Sequence, residues 1–132
     1  MRQWDDRTGR ITLVIGDGLC YLMITVVGFM SHDTLSVSSI DRLLITFLTF
    51  FVAWLLISPW LGLFRREILV SREGLWRPAL AAFLAAPMGG WLRSIMLGTP
   101  MLATFTLVMA LISALVFTLW RVLFRVFIRS GV

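Results

Sequence analysis

The spacing of its apolar runs limits this chain more than any other feature. The runs cover about residues 11–30, 43–64, 78–97 and 101–127. Each reaches the ~20 residues a helix needs to cross a hydrocarbon core about 30 Å thick. In lipid a backbone must satisfy its own polar groups, so runs of this length specify helices. The 132 residues therefore read as a single all-α domain, residues 1–132, folded as a polytopic four-transmembrane-helix bundle. The apolar share of 59% and the mean hydropathy of +0.92 lie well above those of soluble domains. Arg2, Arg7 and Arg10 ahead of the first run resemble the start of a signal peptide. Asp5, Asp6 and Asp17 interrupt that pattern and no small-residue cleavage motif follows Val27, so the run reads as a retained first span.

The charges divide the two sides of the membrane. All twelve basic residues are arginines, and the net charge is +5. They flank or separate the apolar runs and form no soluble basic face, which argues against a nucleic-acid partner. Arg2, Arg7, Arg10, Arg65, Arg66, Arg72, Arg77, Arg121, Arg125 and Arg129 fall on one side, and only Arg42 and Arg93 fall toward the other. The positive-inside rule then places both termini in the cytoplasm of a cell (inner or plasma) membrane protein. Arg121, Arg125 and Arg129 recur every fourth residue at the end of the last span. Such a row is expected to snorkel toward anionic lipid headgroups. The six tryptophans cluster near span ends and read as interfacial belts.

Small residues point to how the helices pack. Along the third run, Ala81, Ala85 and Gly89 form one ladder at i,i+4 spacing, and Ala82, Ala86, Gly90 and Ser94 form another. Gly16 in the first span, and Ala110 and Ala114 in the fourth, sit in comparable stripes. Such stripes let helix backbones approach closely in lipid. The grooves are equally suited to the chain's own helices and to a second subunit. Gly98-Thr99-Pro100 alone separates the third and fourth spans, which must be antiparallel neighbours. Pro59, inside the end of the second span, is expected to kink it.

Four polar residues are candidates for function: Asp17, Arg93, Arg121 and His32. Ionisable side chains within spans are expensive and so mark sites by default. Asp17 lies about 9 Å from the boundary nearest the termini and Arg93 about 24 Å, too far apart for a direct pair. Arg121, at that boundary, reaches upward and is the better partner for Asp17. The pair ties spans one and four together, or Asp17 serves as a protonatable or cation-binding carboxylate. Arg93 either caps the end of its helix or, with His32, forms an anion or headgroup site. One histidine and one cysteine, Cys20, supply no zinc cluster and no intrachain disulfide.

Several of these residues also form a familiar pattern. Gly16-Asp17 occurs early in span one, and Gly28 precedes Ser31-His32 at its far end. Trp54 with Pro59, Leu61, Gly62 and Phe64 closes span two. Arg93 lies near the end of span three, and Trp120-Arg121 closes span four. Together they resemble a prokaryotic four-span family catalogued as a domain of unknown function. The resemblance implies the four-helix fold and a cell-membrane location, and groups Asp17, His32, Pro59, Arg93 and Arg121 as a shared polar set. Asp33, where that pattern has glycine, and a longer, charged loop between spans two and three depart from it.

Two functional classes are expected from these residues. One is a small ion- or solute-transport protein acting as a homo-oligomer through its small-residue faces, since four spans leave little room for a pathway within one chain. The other is a non-catalytic structural or assembly subunit of a membrane complex. An enzyme is not expected, because no nucleophile–base pair or metal cluster is evident, and no cofactor is implied.

Overall fold

The computed structural model describes residues 6–31, 37–65, 67–68 and 71–130. His32 lies outside the described residues, as does the side chain of Arg129. The described chain is all-helical, with four long helices: α1 (Asp6–Ser31), α2 (Ile40–Ile57), α3 (Trp76–Leu97) and α4 (Ala103–Ser130). Short 3-10 turns lead into α2 (Val37–Ser39), close it (Ser58–Leu61) and lead into α3 (Arg72–Leu75). Four segments are long and apolar enough to cross a membrane: Arg7–Ser31, Ile40–Leu61, Trp76–Leu97 and Ala103–Ile128. The protein is a multi-pass membrane bundle.

The second span begins at Ile40 rather than Leu43 and ends at Leu61 rather than Phe64. Its end is a stop, where the sequence suggested a kink. Pro59 is the second residue of the 3-10 turn, and Gly62 takes a left-handed conformation at φ 67°. The Gly62 N–H donates to the Pro59 carbonyl at 3.1 Å and the Leu63 N–H to that of Ser58 at 3.2 Å. These two bonds satisfy carbonyls that a helix end leaves open and turn the chain back under the bundle. Leu63 is buried there.

The helices form a ring in which α1 touches α2 and α4, and α3 packs more closely against the same two. The small-residue ladders explain this asymmetry. Buried residues of α3 come in adjacent pairs every fourth position: Ala81-Ala82, Ala85-Ala86 and Gly89-Gly90. A Cβ on Gly89 would stand 2.6 Å from the Phe50 ring and 3.1 Å from its Cα, both on α2. One on Gly90 would stand 2.8 Å from the Thr106 hydroxyl on α4. One ladder thus seats α2 and the other α4, so both grooves of span three are occupied within the chain. Gly16 plays the equivalent part on α1, where a Cβ would collide with the Trp120 ring. Ala110 and Ala114 are buried on the facing side of α4.

Hydroxyl groups inside the bundle are mostly satisfied on their own helices. Thr25, Thr46, Thr49, Ser58, Thr106 and Thr118 donate to carbonyls one turn earlier, at 2.6–3.1 Å. This back-bonding hides a polar group where water is absent. Between α2 and α4, Trp54 stacks on Phe117 at 3.9 Å and 15°. Tyr21 of α1 closes on Phe117 at 4.8 Å and meets Trp54 edge-on at 6.1 Å. This aromatic core fills the centre that small residues on α3 leave open.

Candidate functional site

Directly beneath the aromatic core, on the side of the termini, three helices deliver polar groups to one point. Asp17 of α1 is fully buried, and Arg121 of α4 is 4% exposed. Arg121 Nη2 donates to Asp17 Oδ2 at 2.9 Å, forming an ion pair. Trp54 Nε1 of α2 donates to the same oxygen, also at 2.9 Å. Gly16 makes the site possible: without a side chain there, the Trp120 indole can lie against α1 next to the carboxylate.

The cluster is only partly satisfied. Asp17 Oδ1, Trp120 Nε1, and Arg121 Nε and Nη1 are buried without a hydrogen-bond partner in the protein. The Trp120 indole stands beside the carboxylate but does not close a bond to it. One turn along α1, the Tyr21 hydroxyl faces that of Ser113, again short of a hydrogen bond. Arg121 Cζ lies 5.7 Å from the centre of the Phe64 ring, which the turn after α2 folds beneath it. Arg121 also lines a narrow cleft with Leu63, Ile68, Gly74, Leu75 and Pro78, holding about 10 Å³ of free space. That is close to the least room one water molecule requires. Buried charges with vacant hydrogen-bonding positions are costly unless something else completes them.

The expected residues separate into two places. Asp17 and Arg121 meet, as the depth argument anticipated. Arg93 is far from them: its Nε donates to the Thr46 hydroxyl at 2.9 Å and its Cζ lies 4.7 Å over the Phe105 ring. Of the shared polar set of Asp17, His32, Pro59, Arg93 and Arg121, Asp17 and Arg121 meet and Arg93 stands apart, while His32 lies outside the described residues. Arg121 and Arg125, read as headgroup-seeking arginines, are both buried in the bundle. The reason is geometric: Arg121 and Arg125 share the face of α4 turned toward the other helices, where Asp17 offers Arg121 a charge of opposite sign. Trp54 is a further correction. It reads as part of an interfacial belt in the sequence, yet it is fully buried and supplies a donor to Asp17. Its position with Thr46, Thr49, Phe50 and Ala53 on one face of α2 was the available signal. Among the described residues, no three His, Cys, Asp or Glu side chains gather as a metal site.

A family model described as "Protein of unknown function (DUF3054)" matches residues 14–124. The chain belongs to that family. The DUF3054 match covers the second and third spans whole and most of the first and fourth, and includes Asp17, Trp54, Arg93 and Arg121, in keeping with the resemblance seen in the sequence. No curated protein and no solved structure matches the chain.

Proposed function

We propose that the protein is a small ion- or solute-transport protein that works as a homo-oligomer, with the Asp17–Arg121 pair as its ionisable element. One observation carries this reading: an ionisable pair lies buried inside a membrane bundle, beside a narrow cleft that Arg121 lines. Ionisable groups held inside membrane spans mark ion pathways and proton relays. Because the grooves of α3 are occupied internally, the oligomer assembles through outward-facing surfaces, and the pathway runs between protomers.

The test is flux into proteoliposomes under an imposed pH or ion gradient. Wild type is expected to carry flux, and Asp17→Asn, reconstituted to the same level, is expected to lose it. Equal flux in both, or none above empty vesicles in either, rejects the reading.

The second reading, an assembly subunit of a membrane complex, is favoured by the charge balance of the same pair. Asp17 is neutralised by Arg121 and held by Trp54, which is what a fixed helix-to-helix tie requires. Native mass spectrometry from nanodiscs separates the two: a homo-oligomer supports transport, and a single chain carrying a different protein supports assembly.

A further inference from the structure

The second polar place lies at the end of the bundle opposite the termini. There Arg93 of α3 is fixed on two sides, by the Thr46 hydroxyl on α2 and the Phe105 ring on α4. The Thr46 hydroxyl in turn donates to the carbonyl of Arg42 at 2.7 Å, so Arg42 sits one turn beyond it on the same side of α2. Through Thr46, Arg42 and Arg93 thus bring two positive charges to the same end of the bundle. Among the described residues, no carboxylate forms an ion pair with either of them. Asp41 is exposed next to Arg42 in the first turn of α2.

Two like charges at the edge of an apolar bundle are unfavourable by themselves. Arg42 carries a further cost, because it occupies the first turn of α2, where the helix dipole disfavours a cation and welcomes an anion. Arg93 is half-buried and spends its Nε on Thr46, so its two terminal nitrogens are the donors left for a ligand. A planar fork of this kind matches the oxygens of a phosphate group. The surroundings face the bilayer: Trp91, Met101 and Leu102 are exposed at this end of the bundle, and a tryptophan there marks headgroup depth.

We propose that Arg42 and Arg93 form a site for a phosphate oxyanion at the end of the bundle opposite the termini. Arg93 supplies a pre-positioned fork, and Arg42 supplies the second charge. The site is separate from the Asp17 cluster and does not depend on the transport reading. A phospholipid headgroup and free inorganic phosphate share the chemistry it recognises.

Native mass spectrometry of the full chain in detergent tests it, with added phosphatidylglycerol, with diacylglycerol as the phosphate-free counterpart, and with inorganic phosphate. Wild type is expected to hold one phosphatidylglycerol that diacylglycerol does not replace. The Arg42→Gln/Arg93→Gln protein should hold it at least about tenfold more weakly, tenfold being the scale of a single lost charge-assisted contact. Arg10→Gln, exposed near the opposite end of the bundle, should leave it unchanged. Displacement by millimolar inorganic phosphate identifies a site that takes the free anion as well, whereas persistence identifies the headgroup as its source. Should the double variant fail to fold, Arg42→Gln alone, at an exposed position, must still weaken retention. The proposal is overturned if the arginine variants retain the lipid as wild type does. It is also overturned if wild type retains phosphatidylglycerol no better than diacylglycerol and binds no phosphate.

Discussion

Arg121 donates to Asp17 at 2.9 Å across 104 positions of sequence, and both side chains are shut inside the bundle. Removing either partner leaves an uncompensated buried charge, which costs about 3–5 kcal/mol. Arg121→Ala and Asp17→Ala should each destabilise the protein on that scale. The double variant should cost less than the two single changes combined. Unfolding in mixed micelles measures the cycle, and strictly additive losses would show that the pair is not coupled.

Trp54 contributes a hydrogen bond and a stacked ring, and the two are separable. Trp54→Phe keeps an aromatic face against Phe117 but removes the donor to Asp17. The expected loss is about 1.5–3 kcal/mol, the range for hydrogen bonds to charged groups. In an Asp17→Asn background the same substitution should cost less. Unfolding of the four proteins gives the comparison.

Brominated lipids should distinguish the tryptophans by depth and burial. Trp60 is 89% exposed and Trp91 57%, while Trp54 is fully buried. In variants that retain one tryptophan each, fluorescence from Trp60 and Trp91 should be quenched and that from Trp54 protected. Strong quenching at Trp54 would contradict its place in the core.

The glycines should sort by what their missing side chains make room for. Gly89→Ala forces α2 away through the Phe50 backbone, and Gly16→Ala drives into the Trp120 ring. Overpacking of this kind costs about 1–3 kcal/mol. A Cβ on Gly28 would meet nothing within 4 Å, so Gly28→Ala should be neutral or gain up to about 1 kcal/mol from helix propensity. Thermal unfolding of the three variants decides it.

The arginine asymmetry predicts cytoplasmic termini. In a Cys20→Ala background, cysteines placed near either end should be labelled by an impermeant reagent only after the membrane is opened. One placed in the loop between α1 and α2 should be labelled in intact cells.

Element type and span number were legible because apolar run length answers directly to bilayer thickness, whatever the neighbours are. The ladders of Ala81, Ala85 and Gly89, and of Ala82, Ala86 and Gly90, were legible too, since helical spacing alone aligns them. What those ladders face was not, because a groove has the same sequence whether its occupant is α2, α4 or another chain. The pairing of Asp17 with Arg121 followed from depth, a one-dimensional quantity that residue counting supplies. The third member, Trp54, did not follow. Tryptophan suits both a wet interface and a dry core with a waiting acceptor, and only the meeting of α1, α2 and α4 places a carboxylate before its N–H. The sequence by itself determined a four-span membrane bundle and the depth of each charge. Tertiary structure decided which way each side chain turned around its helix, and so placed Arg121 in the core and Arg93 at the far edge.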